Sequence, residues 1–236
     1  MFRQIAFLAL ALLPSTFAQI SDDFESGWDQ TKWPIFAPDC NQGGSISLDS
    51  TTAHSGKNSL KVAGAGGYCG HIFFGTTKVP SGGDVYIRSY VKAQTALNSD
   101  HVSFIIMPDP SLGTNEYLRI GGQSNILMYN RESDDATLPD LSPQGIATST
   151  ALPTNTWNCF ESHVSSDGTI ETWLNNNTIA GLTVGPGVTN PNADQWERAN
   201  YKPDVTGVYF GWESYGGDVN TFWYDDVSIS SSRVGC

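Results

Sequence analysis

The chain has 236 residues and a formal net charge of −12, with 15% charged residues, 11% aromatics and 24 glycines. That acidity argues against nucleic acid as a partner, because polyphosphate binding relies on Lys and Arg neutralising phosphates. Glycine, Asn, Asp, Ser and Thr beside many aromatics favour strands joined by turns over helices.

Met1-Phe2-Arg3, an apolar run from Ile5 to Leu13 and the small residues Thr16 and Ala18 predict a secretory signal peptide over residues 1–18, cleaved after Ala18. The run is too short to span a bilayer, and no membrane partner is expected. Residues 19–236 are expected to form a single secreted domain, since all-β sandwiches of this length are commonly one unit. No further module is expected beside that domain. Four cysteines in a secreted chain predict two disulfides. Three pairings are formally possible; Cys40 with Cys69, closing a local loop, and Cys159 with Cys236, tying down the C-terminus, are expected. Asn176-Asn177-Thr178 is a glycosylation sequon in a polar turn.

In chain order, strands are predicted over 85–92, 101–107, 117–123, 126–131, 159–164, 169–174, 208–215 and 222–229, each alternating in character and bounded by turn residues. Gly82-Gly83, Pro108-Asp109-Pro110, Asp167-Gly168 and Gly216-Gly217-Asp218 supply such punctuation. The fold class is therefore all-β, a two-sheet sandwich, with a jelly roll whose concave groove holds a linear polymer as the specific expectation. Two strands carry unusual outer faces. Tyr86, Arg88, Tyr90 and Lys92 alternate against Val85, Ile87 and Val91, while Tyr117, Arg119, Gly121 and Gln123 alternate against Leu118 and Ile120. Aromatic rings and planar donors suit sugar faces, hydroxyls and carboxylates, although an ordinary half-solvated sheet looks the same. Arg88, Lys92, Arg119 and Arg131 are expected to make such a groove locally positive.

Near the C-terminus, alternation places Trp223, Asp225, Val227 and Ile229 on one face, so Asp225 is expected to share a face with core residues. A carboxylate there needs a partner or a metal, and calcium accepts oxygen ligands. Glu25 and the turn from Ser55 to Asn58 offer the rest of a clasp. A strand-end Asp225 bonded to backbone N–H groups is the alternative.

The segments Leu118-Arg119-Ile120-Gly121-Gly122-Gln123-Ser124 and Tyr129 through Pro143, together with Ser21 to Trp28, Tyr68 to Thr76, Phe104 to Asp109 and Gly217 to Asn220, resemble the fungal cellulose-induced protein family along essentially the whole mature chain. The resemblance implies a jelly roll with bound structural calcium and two disulfides, similar in fold to glucuronan lyases of polysaccharide lyase family 20. It places the calcium ligands on Glu25, Ser55, Asn58 and Asp225. The residues resembling the lyase site fall on His101, Arg119, Gln123 and Asp135, with Glu213 and Tyr215 beside them.

A β-eliminating lyase must neutralise a uronate carboxylate, abstract the C5 proton and protonate the departing oxygen. Arg119 and Gln123 suit the first task, and His101 and Tyr215 the proton transfers. Asp135 with Glu213 keeps a two-carboxylate hydrolase open. His54, His71 and His163 show no metal-ligand spacing, and neither Gly-x-Ser-x-Gly nor His-Glu-x-x-His occurs. The expected function is a secreted protein acting on plant-cell-wall polysaccharide by elimination, monomeric and calcium-stabilised. A non-catalytic carbohydrate-binding protein is the alternative from a different class.

Overall fold

The computed structural model describes residues 19–236 apart from 82, 98 and 99; the expected signal peptide lies outside the described residues. Fifteen strands follow in chain order: β1 (Gln19–Asp22), β2 (Ile35–Phe36), β3 (Ser45–Asp49), β4 (Ser59–Gly64), β5 (Ile72–Thr76), β6 (Asp84–Ala93), β7 (Val102–Pro108), β8 (Tyr117–Gln123), β9 (Ile126–Arg131), β10 (Thr137–Leu138), β11 (Asn158–Ser165), β12 (Ile170–Leu174), β13 (Asn177–Thr178), β14 (Val208–Ser214) and β15 (Asn220–Ser230). Two one-turn helices, α1 (Pro143–Ile146) and α2 (Asp194–Arg198), lie in connections. The first sheet runs β13-β12-β11-β6-β15-β4-β3, with β1 also pairing β15, and the second runs β10-β9-β8-β7-β14-β5-β2. Named pairings are antiparallel throughout, and several join strands far apart in sequence, such as β6 with β11 and β15 and β14 with β5 and β7.

The inner faces meet in an aromatic core. Phe74, Phe104, Phe210, Phe222 and Tyr224 are fully buried and contact one another at ring separations of 5.6–6.0 Å. The two sheets are also joined by hydroxyls. Tyr224 on β15 points its hydroxyl between the carbonyls of Phe104 (2.9 Å) and Gly211 (2.7 Å) on the opposite sheet. Tyr129 on β9 reaches back to Ser162 Oγ (2.6 Å) and Thr172 Oγ1 (2.9 Å). These polar contacts fix the relative slide of two otherwise apolar layers, because an unpaired buried polar group is costly.

Three expectations change. The phase expected for β15 is wrong: Phe222 and Tyr224 face the core, while Trp223 faces outward opposite Lys61 and Lys92. A bulge between Asp225 and Ser228, with Asp226 at φ 45°, inserts one residue and turns Val227 and Ile229 back into the core. Asp225 therefore lies outward, opposite Tyr90, and is buried beneath the 52–58 loop instead of against the core. Second, the two aromatic rows belong to different sheets, because the β6 to β7 connection crosses the sandwich. Third, Arg131 is turned away from the Arg119 face: it is buried, ion-paired with Asp134 (2.8 Å) and donates to the Trp196 carbonyl (2.8 Å).

Both expected disulfides, Cys40–Cys69 and Cys159–Cys236, are present. The second joins a tail that is also held by Glu161, which accepts from Arg233 (2.6 Å) and from the Gly235 N–H (2.8 Å). Among the described residues, no helix is long and apolar enough to cross a membrane.

Tyr224→Phe keeps the ring and removes the hydroxyl between the sheets. We expect a loss of about 1–3 kcal/mol in denaturant unfolding, since buried carbonyl oxygens then lack their donor. An unchanged midpoint would show that the hydroxyl does not tie the sheets together.

Candidate functional site

The outer face of the second sheet presents an ordered grid. Strand pairing puts Thr137 opposite Asn130 and Asn130 opposite Arg119. In the next row Gly121 lies opposite Ser103, and Ser103 opposite Glu213. Glycine is required at 121, since a Cβ there would fall 1.8 Å from the Val102 carbonyl oxygen. Side-chain oxygens of Ser103, Asn130, Thr137 and Glu213 are buried on this grid without a hydrogen-bond partner.

Arg119 occupies the centre and is 2% exposed. Its Nη2 bonds Glu132, and its Nε lies 3.5 Å from Glu213 Oε1, an ion pair without hydrogen-bond geometry. The other Glu132 oxygen accepts the Tyr117 N–H at 3.0 Å. Burial pushes the Glu132 carboxyl up to about 7 against the pull of Arg119, and Glu213 is raised for the same reason. Two buried carboxyls around one guanidinium titrate as a coupled set.

Above this cluster stands Tyr215, 46% exposed, with its ring 5.1 Å from the Arg119 guanidinium. His101 stacks parallel to Tyr215 at 5.4 Å and 4°, and its carbonyl accepts the Tyr215 N–H at 3.1 Å. Burial, and then the charge of Arg119, pulls His101 down to about 4. The imidazole is therefore neutral at neutral pH. Tyr215 is raised, by burial first and by Glu213 second, so its phenol keeps its proton. The pair thus presents an unprotonated base beside a protonated acid.

Of the expected residues, His101, Arg119, Glu213 and Tyr215 come together. Asp135 is exposed at φ 53° and acts on His101 through its charge. Gln123 shares Arg119's strand face at the open end of β8. Sequence reasoning missed Glu132, Tyr68 and Asn130. Tyr68 lies 5.5 Å from Tyr215 and donates to Asp39 Oδ2 (3.0 Å), both tyrosine and aspartate being neighbours of the Cys40–Cys69 disulfide. Asn130 was reachable from the pairing of β8 with β9, whereas nothing local distinguishes Glu132.

The clasp residues meet around one loop. Asp225 Oδ2 accepts the N–H groups of His54 (2.8 Å) and Ser55 (3.1 Å), and Glu25 Oε1 accepts those of Lys57 (2.8 Å) and Asn58 (2.7 Å). The backbone bonding considered for Asp225 is thus present. Gly56 sits against the Glu25 carboxylate, where a Cβ would approach its carbon to 2.3 Å. Burial raises Asp225 to about 6. Among the described residues no Lys or Arg side chain is ion-paired with Glu25 or Asp225. Glu25 and Asp225, bonded by backbone N–H groups and paired with no Lys or Arg, are the hard oxygen donors of this loop that could hold a divalent cation. By contrast, the cluster of Cys159, Glu161 and Cys236 is no metal site, since its sulfurs are bonded to each other.

No curated protein matches the sequence. The structure of the cellulose induced protein Cip1 is 69% identical, with a TM-score of 0.90 over 92% of this chain and 99% of that one. The endo-β-1,4-glucuronan lyase of the fungus Trichoderma reesei shares the fold, at 14% identity and a TM-score of 0.57 over 90% of this chain and 94% of that one. A protein of unknown function from Shewanella oneidensis MR-1 shares it too, at 12% identity and a TM-score of 0.57 over 99% and 100% of the two chains. A family model for the Cip1-like core domain, of polysaccharide-lyase-like type, matches residues 23–232, and the chain belongs to that family.

Proposed function

We propose that the chain is an extracellular protein that cleaves uronic-acid-containing, glucuronan-like polysaccharide by β-elimination on the His101–Tyr215 face. The observation that carries this is the parallel stack of a neutral imidazole and a protonated phenol on the open side of the Arg119 cluster. His101 takes the C5 proton, the C4–O bond breaks as the C4=C5 bond forms, and the Tyr215 phenol gives its proton to the departing oxygen. Arg119 is too buried to meet substrate directly. It holds Glu132 and Glu213 and positions Tyr215 from beneath. Gln123 and the protonated form of Glu132 are the neutral donors available to a uronate carboxylate, and hydrogen bonds that strengthen as charge moves onto that group favour the transition state.

A second reading, a non-catalytic carbohydrate-binding protein, is favoured by one fact: Arg119 is already paired with two carboxylates and offers no open charge to a uronate. Incubation with glucuronan separates the two. Elimination yields unsaturated ends, hydrolysis yields reducing ends alone, and the binding reading predicts neither. We expect unsaturated ends, with turnover rising above about pH 4 as His101 loses its proton and falling above about pH 7 as Glu132 loses its own. Tyr215→Phe and His101→Ala should each lower kcat by about 100-fold or more with little change in binding. Equal losses in KM and none in kcat would reduce both to binding groups.

Calcium is proposed as the ion of the clasp, held by Glu25 and Asp225 with oxygens of Ser55 and Asn58. There it ties the N-terminal segment to the 54–58 loop and β15, away from the reacting groups. A chelator should lower Tm. Calcium at 100 times its dissociation constant would stabilise the fold by about 2.7 kcal/mol. Asp225→Asn should abolish the calcium-dependent part of that shift, and a Tm indifferent to both chelator and calcium would remove the ion from the clasp.

A further inference from the structure

The aromatic and basic row of β6 lies on the outer face of the first sheet, on the other side of the sandwich from Arg119. Register there builds a line across neighbouring strands. Lys61 on β4 lies opposite Trp223 on β15, and Trp223 opposite Lys92 on β6. Asn158 pairs with Val91, which brings Trp157, just before β11, beside Lys92. With neighbouring strands roughly 4.8 Å apart, the four residues span about 14 Å. The order is cation, aromatic, cation, aromatic.

The line is held in place. The lysine ammonium groups of Lys61 and Lys92 stand 5.8 and 5.3 Å from the Trp223 ring centroid. The indole N–H of Trp223 donates to Asp49 Oδ2 at 2.8 Å, which fixes the ring's orientation. Lys92 Nζ bonds Thr52 Oγ1 at 3.2 Å, and Trp157 meets His54 edge-on at 6.1 Å. All four side chains of the line are partly exposed. Among the described residues neither lysine is ion-paired with a carboxylate. Two ammonium groups outside ion-pair distance of any carboxylate thus flank an oriented ring, with Asp49 beneath it within electrostatic reach of Lys61.

We propose that this line is a second glycan-binding site, distinct from the His101–Tyr215 face, that takes an anionic polysaccharide. Its uronate carboxylates meet Lys61 and Lys92, and its sugar rings lie against Trp223 and Trp157. Charge complementarity selects the occupant: a neutral glucan makes no use of the two ammonium groups, whereas the aromatic faces of Trp223 and Trp157 beside them match the rings and carboxylates of a uronate polymer. The choice of a uronate polymer rests on the lysines and is independent of the elimination chemistry. Held on this face, a long polymer stays tethered while another stretch of it, or a neighbouring chain, reaches the opposite groove, which raises its effective concentration there.

The test is affinity gel electrophoresis of the full mature chain through soluble glucuronan, neutral xylan and a single-stranded oligonucleotide, at low and high salt. Wild type, the double variant Lys61→Gln/Lys92→Gln and a control, Lys78→Gln at an exposed position elsewhere, are compared after their Tm values are matched. We expect glucuronan to retard wild type and the control equally, the double variant to lose about tenfold in affinity, and the difference to shrink at high salt. Trp223→Phe should lower affinity with an unchanged salt dependence. Short glucuronan fragments read the other face: the double variant should turn them over like wild type. If no variant turns them over while the double variant still loses retention, the lyase reading falls and this site stands. No retention of wild type, equal retention of the double variant, equal loss in Lys78→Gln, or equal binding of xylan or oligonucleotide would overturn it.

Discussion

One residue inserted into β15 of the first sheet sets how the outer face of that sheet is built. β15 pairs with β6 along one edge and with β4 and β1 along the other, so any change in its phase is imposed on the whole sheet. Before the bulge Phe222 and Tyr224 fill the core, and after it Val227 and Ile229 do. At the bulge itself Asp225 and Asp226 are both directed to the 52–58 loop, Asp225 onto the His54 and Ser55 N–H groups and Asp226 onto the Ser55 hydroxyl (3.1 Å) and the His54 ring (2.7 Å). A regular strand has room for one outward carboxylate every second residue; the bulge brings two adjacent ones to the same loop.

The two outer faces differ electrostatically in a way that follows from burial. On the second sheet a single guanidinium is sunk among Glu132, Glu213 and aromatic rings, where loss of water makes its charge act strongly on its neighbours: burial first and this charge second keep His101 deprotonated, and the charge opposes the rise of the two carboxyls. That is an arrangement for setting protonation states. On the first sheet Lys61 and Lys92 remain partly in water and unpaired, so their charge reaches outward and is open to screening. Such an arrangement suits attraction of a polymer. On the proposed reading, dividing these tasks between faces would let an acidic protein engage an acidic chain without placing its few cations in the groove.

Eight strands were legible because each alternates for six residues or more between turn residues. Seven were not. Ile35–Phe36, Thr137–Leu138 and Asn177–Thr178 are too short to carry a period, and the five residues of Ile72–Thr76 are buried on both faces, so they show no alternation. The phase error at Asp225 has the same root: a bulge leaves Phe-Trp-Tyr-Asp-Asp-Val readable in either phase, and only the packing of Phe222 against Phe104 decides it. His101, Arg119, Glu213 and Tyr215 could be nominated through the family resemblance. Glu132 could not, because its approach to Arg119 depends on how the chain leaves β9 and returns its carboxylate to the Tyr117 N–H. Nor could the separation of the two aromatic rows, since sequence neighbours β6 and β7 give no local sign that the connection between them changes sheets.

The loop over Asp225 links these features into one chain of cause. Thr52 on this loop accepts from Lys92, and His54 lies flat on Tyr90 at 3.4 Å while facing Trp157. The carboxylates that hold the loop from below, Glu25 and Asp225, therefore also set the positions of side chains along the Lys61–Trp223–Lys92–Trp157 line. Loosening the clasp would free Thr52 and His54 together and leave Lys92 and Trp157 with more rotamers to lose on binding, at a cost of about 0.5–1.5 kcal/mol for each side chain immobilised. An ion in the clasp would thus act on the polymer-binding face through preorganisation, without touching the polymer, while the His101–Tyr215 stack, supported by the β7, β8 and β14 ladder of the other sheet, would be left as it is.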